Sequence, residues 1–192
     1  MEELTLLGER AVQAKYELQR MTTEKKNEVL EAVAEALIQN TEYLLLENHK
    51  DLERGIANQM NPGLVDRLRL TKERIAGMAE GIRQIVKLPD PVGEILDNYE
   101  AENGLHIVKK RVPMGVIGII YESRPNVTAD AFGLCFKSGS AVILKGGSDA
   151  IRSNMAITKV IQDAVVRRGV DPYVIQLIES TDRSVVNEFM KM

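Results

Sequence analysis

Residues 111–148 read RVPMGVIGIIYESRPNVTADAFGLCFKSGSAVILKGGS, and this stretch decides the fold. Within it, Val116–Ile120 and Ala141–Leu144 are short, continuously apolar runs rich in β-branched residues, which is typical of strands in a parallel sheet. The segment between them carries apolar residues at helical spacing. The sequence therefore predicts a parallel β-α-β unit.

Two polar loops follow the predicted strands. They are residues 121–126, Tyr-Glu-Ser-Arg-Pro-Asn, and residues 145–148, Lys-Gly-Gly-Ser. Units of this kind bind ligands at the carboxyl ends of their strands, where both loops lie. Both loops are rich in groups that can hold phosphate, ribose or carboxylate, so an anion or nucleotide site is predicted at this edge of the sheet.

The first half of the chain is predicted to be helical. Apolar residues recur at three- and four-residue steps through residues 4–18, 29–37 and 44–52. Residues 61–63, Asn-Pro-Gly, interrupt the series, and a further long helix is expected over residues 71–86. The threonines that precede helical runs are expected N-caps, namely Thr22 or Thr23, Thr41 and Thr71.

A β-hairpin is expected after the helices. Residues 88–93, Leu-Pro-Asp-Pro-Val-Gly, form a connector because two prolines and a glycine forbid a helix there. Asn103-Gly104 is the strongest short turn signal in the chain. It is flanked by Ile95–Ala101 and Leu105–Val112, which are predicted to pair as antiparallel strands.

The β-α-β unit is expected to continue into a third strand. Asp149–Arg168 has helical periodicity, and Gly169 is placed to end that helix. Val174–Ile178 is the predicted third buried strand. A short closing helix is expected to begin near Asp182 or Arg183.

Composition limits the classes of partner. The 192 residues are 44% hydrophobic, enough for a real core, and the net charge of −3 comes from 25 basic and 28 acidic residues spread along the chain. This pattern argues against nucleic acid and an anionic membrane surface as partners. No signal peptide or spanning segment is evident, and the single cysteine excludes an internal disulfide, so a cytoplasmic protein is expected.

The quoted core resembles a known family. VPMGVIGIIYESRPNVTADAFGLCFKSGSAVILKGGSDA, residues 112–150, closely resembles the gamma-glutamyl phosphate reductases of the aldehyde dehydrogenase superfamily. YESRPNVTADA is a specific signature. VDRLRLTKERIAGMAEGIRQIVKLPDPVGEI and NGLHIVKKR, upstream of it, are similar to the same family, so the resemblance runs over nearly the whole chain.

This resemblance implies an α/β, aldehyde dehydrogenase-like fold in three parts. Residues 1–93 would be the helical N-terminal part of the cofactor-binding domain, and residues 94–112 an oligomerisation-type hairpin. Residues 113–192 would be a partial Rossmann-like parallel core. The family continues into a domain that carries the catalytic cysteine, which is expected to be absent from this chain, and a homo-oligomer is implied.

The implied activity is NADPH-dependent reduction of L-glutamyl 5-phosphate to L-glutamate 5-semialdehyde in proline biosynthesis. The superfamily's cofactor lysine is matched by Lys145, and Gly146 and Gly147 would let a ligand approach the backbone closely. Many relatives have an acidic residue where Ser148 stands, which favours NADPH over NADH. From the residues alone, Lys145 could instead be a surface lysine that caps a strand, and Ser148 is expected at least to cap the next helix.

The loop after the first strand supplies the candidate substrate contacts. Arg124 offers a fork suited to carboxylate or phosphate, and Glu122 and Ser123 stand beside it. An exposed ion pair between Arg124 and Glu122 is the alternative. The superfamily places an oxyanion-stabilising asparagine in this loop, which makes Asn126 the candidate for that role.

Three further side chains could suggest chemistry. Cys135, the only thiol, lies mid-helix between apolar neighbours, so it is interpreted as a buried structural residue and not as a nucleophile. His49 and His106 show no metal-ligand spacing, and no metal site is predicted. Nothing in this chain is therefore expected to be the catalytic nucleophile.

Two other functions fit parts of the pattern. The Lys-Gly-Gly-Ser loop at residues 145–148 is loosely similar to the start of amino-acid kinases, which bind ATP. The long helical prefix and the spacing count against that interpretation. A non-catalytic binding or assembly module is the remaining alternative.

Overall fold

The structure is a computed structural model that describes residues 2–182 and 184–192. Its first half is helical, as predicted. The helices are α1 (Glu2–Arg20), α2 (Thr23–Gln39), α3 (Thr41–Ala57), α4 (Pro62–Leu68) and α5 (Lys72–Lys87). The short α4 was not predicted: Asn61 accepts a hydrogen bond from Gly63 N–H as its N-cap and Pro62 occupies the first turn, so the apparent break is a helix start.

Two of the three expected threonine caps are confirmed. Thr22 Oγ1 accepts from Lys25 N–H and Thr71 Oγ1 from Arg74 N–H, each at 3.2 Å. The prediction for Thr41 is wrong. Only Asn40 separates α2 from α3, and the Thr41 hydroxyl donates back to the Ile38 carbonyl at 2.7 Å.

The connector and the hairpin follow as expected. Buried Lys26 forms an ion pair with Asp90 at 2.5 Å, which fixes the connector against α2. Strands β1 (Ile95–Glu100) and β2 (His106–Lys110) pair in antiparallel fashion. Gly104 has φ +81°, and its N–H donates to the Ala101 carbonyl, so a tight turn joins the strands.

The second half contains the predicted parallel sheet. Its strands are β3 (Val116–Ile120), β4 (Ala141–Lys145) and β5 (Ile175–Leu177), in the order β3-β4-β5, and the helices after β3 and β4 are α6 (Asn126–Lys137) and α7 (Ile151–Arg167). Both strand pairs are parallel, which confirms the β-α-β prediction. Strands β4 and β5 are fully buried, whereas β3 is partly exposed.

One contiguous core joins the two halves. It includes apolar residues of α1, α2 and α5 from the first half and of α6, α7 and the parallel strands from the second. Gly169, with φ +73°, follows α7 as predicted. The closing helix is α8 (Ser184–Phe189), and its Phe189 packs over Gly118 of β3, where a Cβ atom would lie only 2.8 Å from the ring. Arg183, one of the two residues predicted to begin this helix, is outside the described residues.

Candidate functional site

The two polar loops lie side by side at the carboxyl ends of β3 and β4. Tyr121 N–H donates to the Lys145 carbonyl at 3.0 Å, which continues the sheet pairing into the loops. Residues 121–124 and 145–149, together with Arg67 and Asp182, line a groove of about 490 Å³, called the sheet-end groove below. The structure therefore brings the predicted cofactor and substrate loops together.

Lys145 is a buried cation. Lys145 is only 6% exposed, and its Nζ donates to the neighbouring Gly146 carbonyl at 3.0 Å. In the described residues it forms no ion pair, and desolvation lowers the pKa of its ammonium group. The alternative of an ordinary surface lysine is therefore wrong.

Packing within the protein leaves no room for a side chain at Gly146 and little room for one at Gly147. A Cβ atom at Gly146 would lie 2.2 Å from Asn154 Nδ2, and one at Gly147 would lie 3.1 Å from Ser123 Oγ. The predicted reason for these glycines was the approach of a ligand. The structure adds a second reason: because these two glycines have no side chains, the two loops and α7 can come close together.

The start of α7 is already occupied by a carboxylate. Asp51, fully buried on α3, accepts from Ser153 N–H at 2.8 Å, from Ser153 Oγ at 2.7 Å and from Arg152 N–H at 3.3 Å. Burial raises the pKa of Asp51. A helix N-terminus favours an anion, and here the protein itself supplies one, the carboxylate of Asp51.

Arg54 extends this contact to the loop. Its Nη2 donates to Asp51 at 2.9 Å and to the carbonyl oxygens of Ser148 and Asp149 at 2.7 and 3.1 Å. Ser148 itself lies in a 3₁₀ turn over residues 148–150 and makes no side-chain cap, so its predicted capping role is wrong. Sequence reasoning missed Asp51 and Arg54, because about 100 residues separate them from the loop that they hold.

A buried hydroxyl chain supports the floor of the site. Tyr121 Oη lies 2.7 Å from Thr128 Oγ1, which donates to Asn154 Oδ1 at 3.2 Å. Burial raises the pKa of Tyr121 to about 12, so the phenol stays neutral at physiological pH. Asn154 Nδ2 is buried and has no hydrogen-bond partner among the described residues.

The substrate loop presents a free guanidinium group. Arg124 N–H donates to the Glu122 carbonyl at 2.9 Å, and among the described residues the ion pair considered between their side chains is not formed. Ser123 Oγ donates to Asp149 at 3.1 Å. Arg67 at the end of α4, which sequence reasoning did not single out, lines the same groove, although it belongs to the VDRLRL segment that carried part of the resemblance.

Asn126 is not among the residues that line the sheet-end groove. It is the first residue of α6, its amide donates to Asp130 at 3.1 Å, and it lines a second groove beside Arg124. Arg124 lines both grooves. Of the predicted substrate loop, Glu122, Ser123 and Arg124 therefore meet the cofactor loop, while Asn126 does not.

The single thiol is part of the core. Cys135 is 5% exposed on α6, and burial raises its pKa to about 11. The predicted burial of this thiol is confirmed, and a raised pKa disfavours the thiolate form that a nucleophile needs. His49 lies 3.1 Å from Glu53 on an exposed face of α3, and His106 lies on the exposed β2.

The described residues contain neither a cluster of metal ligands nor a helix that could span a membrane. Among residues 2–182 and 184–192, no group of three or more histidine, cysteine or acidic side chains is arranged to hold a metal ion. Within the same ranges, none of the helices combines the length and apolar character needed to cross a bilayer.

Comparison with known proteins identifies the family. The model of the aldehyde dehydrogenase family matches residues 2–192. A gamma-glutamyl phosphate reductase of Clostridium botulinum (strain Eklund 17B / Type B) is 50% identical over 192 residues, 100% of this chain and 46% of the relative. The protein of that name from Lachnospira eligens is 54% identical with the same coverage. The chain thus spans about half the length of these relatives.

Solved structures agree. The crystal structure of gamma-glutamyl phosphate reductase from Thermotoga maritima has a TM-score of 0.95 at 40% identity, covering 98% of this chain and 45% of that one. An acetylating aldehyde dehydrogenase from Geobacillus thermoglucosidasius, 18% identical, has a TM-score of 0.75 over 99% of this chain and 39% of its own, which shows the shared fold. The predicted α/β fold and the resemblance of the YESRPNVTADA core are confirmed, and the chain belongs to the aldehyde dehydrogenase family.

Proposed function

We propose that this chain supplies the cofactor loop and part of the substrate site for NADPH-dependent reduction of L-glutamyl 5-phosphate to L-glutamate 5-semialdehyde in proline biosynthesis. The observation that carries the proposal is the meeting of the Lys145 and Arg124 loops in one groove. About half of the residues of this chain are identical in the gamma-glutamyl phosphate reductases that it matches, which supports this choice of reaction. The amino-acid kinase alternative is set aside because the family match covers residues 2–192.

The sheet-end groove fits a phosphorylated dinucleotide. Within the part of the chain that the structure describes, the Lys145 ammonium group has only a carbonyl partner. Ser148 stands where a carboxylate would repel a 2′-phosphate. Because Gly146 and Gly147 have no side chains, a ligand could approach the backbone of this loop closely. When bound, NADPH would supply the hydride, while residues 145–148 would hold and orient it; residues 113–192 would be the Rossmann-like part of that binding domain.

The substrate would lie on the other wall. Arg124, with no side-chain partner in the described residues, would bind an anionic group, and Glu122 and Ser123 would complete the contacts. Asn126 remains the candidate oxyanion donor. Its amide already donates to Asp130, so an oxyanion would have to replace that acceptor.

The nucleophile would come from outside this chain. Cys135 is its only cysteine, and it is buried with a raised pKa. Since a thiolate must reach the substrate carbonyl in this chemistry, we propose that the chain is inactive alone. The lone free cysteine fits a cytoplasmic protein. The net charge of −3 fits action on a small molecule and not on nucleic acid.

The hairpin is proposed to bind a second copy of the chain. All residues of β1 and β2 are exposed, including Ile95, Leu96, Tyr99, Ile107 and Val108. A two-stranded ribbon with apolar side chains in solvent is a poor isolated structure. Residues 94–112 would therefore form the subunit interface of a homo-oligomer.

A nucleotide titration tests the main proposal. The purified chain is titrated with NADPH, NADH and Mg-ATP while cofactor fluorescence and heat are recorded. Saturable binding with NADPH tighter than NADH and ATP is expected. Preference for Mg-ATP, or no binding of any nucleotide by the folded chain, would contradict a cofactor site at Lys145.

A further inference from the structure

A second groove lies next to the sheet-end groove. It has a volume of about 360 Å³ and is called the arginine groove, because Arg67, Arg69, Arg74 and Arg124 line it together with Gly77 and Asp130. Arg67 and Arg124 line both grooves, so these two side chains stand at their common border. A molecule extended across that border would touch both.

Most of the positive charge in the arginine groove is unpaired. Arg74 donates to both carboxylate oxygens of Asp66 at 3.2 Å and to the Arg69 carbonyl at 2.7 Å. The side chains of Arg67, Arg69 and Arg124 form no ion pair or hydrogen bond within residues 2–182 and 184–192. Like charges gathered in this way attract a small anion, and guanidinium groups suit a carboxylate.

One carboxylate in the same groove lacks a cation. Asp130 on α6 is half-buried, and among the described residues its side chain accepts only from Asn126 Nδ2, at 3.1 Å. Burial raises its pKa, and no nearby positive group lowers it. The neighbouring arginines therefore do not neutralise Asp130, which leaves it available for a positive group of a ligand.

A glycine of α5 is among the residues that line the arginine groove. Gly77 lies inside α5, where glycine is disfavoured relative to alanine. A Cβ atom at this position would meet nothing within 4 Å, so packing inside the protein does not require glycine there. Space for a ligand is a sufficient reason for it.

We propose that the arginine groove binds the α-amino-acid end of the substrate, with Asp130 accepting its ammonium group and Arg69 and Arg124 its carboxylate. The inference rests on the proposed function and adds the residues that recognise an amino acid. The rest of the substrate would extend past Arg67 and Arg124 toward Lys145. An acyl phosphate would then approach the cofactor loop while its amino-acid end stays in the arginine groove.

The test compares two probes that differ in the ammonium group. L-glutamate and glutarate both carry two carboxylates, but only L-glutamate carries the ammonium group. Each is titrated calorimetrically into the chain. L-glutamate is expected to bind more tightly than glutarate. In Asp130→Asn, the affinity for L-glutamate should fall about tenfold or more, while the affinity for glutarate should stay the same or rise. In Arg69→Gln, the affinity for both probes should fall.

Two leucine substitutions test the groove by blocking its space, without changing any charge. Gly77→Leu should abolish L-glutamate binding without loss of thermal stability. Ala76→Leu, at the neighbouring exposed position that does not line the groove, should leave binding intact. Equal affinity for the two probes, or normal L-glutamate binding by folded Asp130→Asn and Gly77→Leu, would overturn the proposal. An NADPH titration of the same samples separates the two proposals: NADPH binding without L-glutamate binding removes only this one, and the reverse result removes the cofactor site.

Discussion

Asp51 of α3 and Ser153 of α7 form a buried bridge, with the carboxylate accepting both the backbone N–H and the hydroxyl of the serine at 2.8 and 2.7 Å. The helix that follows the cofactor loop is therefore capped by a residue from the helical half. Arg54 joins the same carboxylate to the carbonyl oxygens of Ser148 and Asp149. The position of the loop thus depends on how the two halves of the chain pack.

Replacing Asp51 should destabilise the protein. Asp51→Ala leaves the N–H of Ser153 and its hydroxyl without their acceptor in a dry environment, and a loss of about 2–4 kcal/mol is expected. Urea unfolding at pH 7 measures it. Asp163→Ala, which removes only an exposed ion pair with Lys159 on α7, is the matched control and should change stability by about 0.5 kcal/mol or less. Equal effects of the two substitutions would contradict a capping role for Asp51.

Replacing Lys145 should affect cofactor binding more than stability. Its ammonium group is desolvated and has no ionic partner in the described residues, so Lys145→Ala removes a buried charge at little cost to the fold. The binding free energy of NADPH should become less favourable by about 1.5–3 kcal/mol. Cofactor titration and a melting curve test the two halves of this prediction. The exposed Lys159→Ala should leave NADPH affinity as it is. Unchanged affinity in folded Lys145→Ala would leave the residue without a cofactor role.

Gly146 and Asn154 should be energetically coupled. A methyl group in Gly146→Ala would meet Asn154 Nδ2 at 2.2 Å, and the buried amide has little room to move, so a loss of about 1–3 kcal/mol is expected. In an Asn154→Ala background the same change should cost less, because the clashing atom is gone. A double-mutant cycle by chemical denaturation measures the difference. Additive effects would mean that the cost arises elsewhere in the loop.

The order of strands and helices was predictable because its signals are local. Apolar runs such as Ala141–Leu144, turn residues such as Gly104 and the helical spacing of α7 are visible in short windows. Helix α4 was missed because Asn61-Pro62 serves equally as a breaker and as an N-cap followed by Pro at the first position. The Asp51 bridge and the approach of Arg67 to Arg124 depend on tertiary packing, which a pattern in one segment does not encode.

The thiol of Cys135 should make stability fall at alkaline pH. Its pKa is raised from 9.0 to about 11 in the folded protein. The stabilisation from keeping the thiol neutral is full below pH 9 and is lost as the pH rises toward 11, by at most about 2–3 kcal/mol. The unfolding free energy of the wild type should thus drop more over this interval than that of Cys135→Ala. Parallel curves for the two proteins would show that the thiol titrates normally.

The chain alone should not reduce an acyl phosphate. At pH 7 a thiol of pKa about 11 is ionised in roughly one molecule in ten thousand, and Cys135 is also shielded from both grooves by its place in the core. The reverse reaction offers a direct assay, in which phosphate-dependent reduction of NADP⁺ is followed with glutamate semialdehyde as substrate. No turnover above background is expected for the purified chain, and Cys135→Ala should behave alike while changing thermal stability. Clear turnover by the wild type together with its loss in a folded Cys135→Ala variant would make Cys135 the nucleophile and overturn the view that the thiol must come from elsewhere.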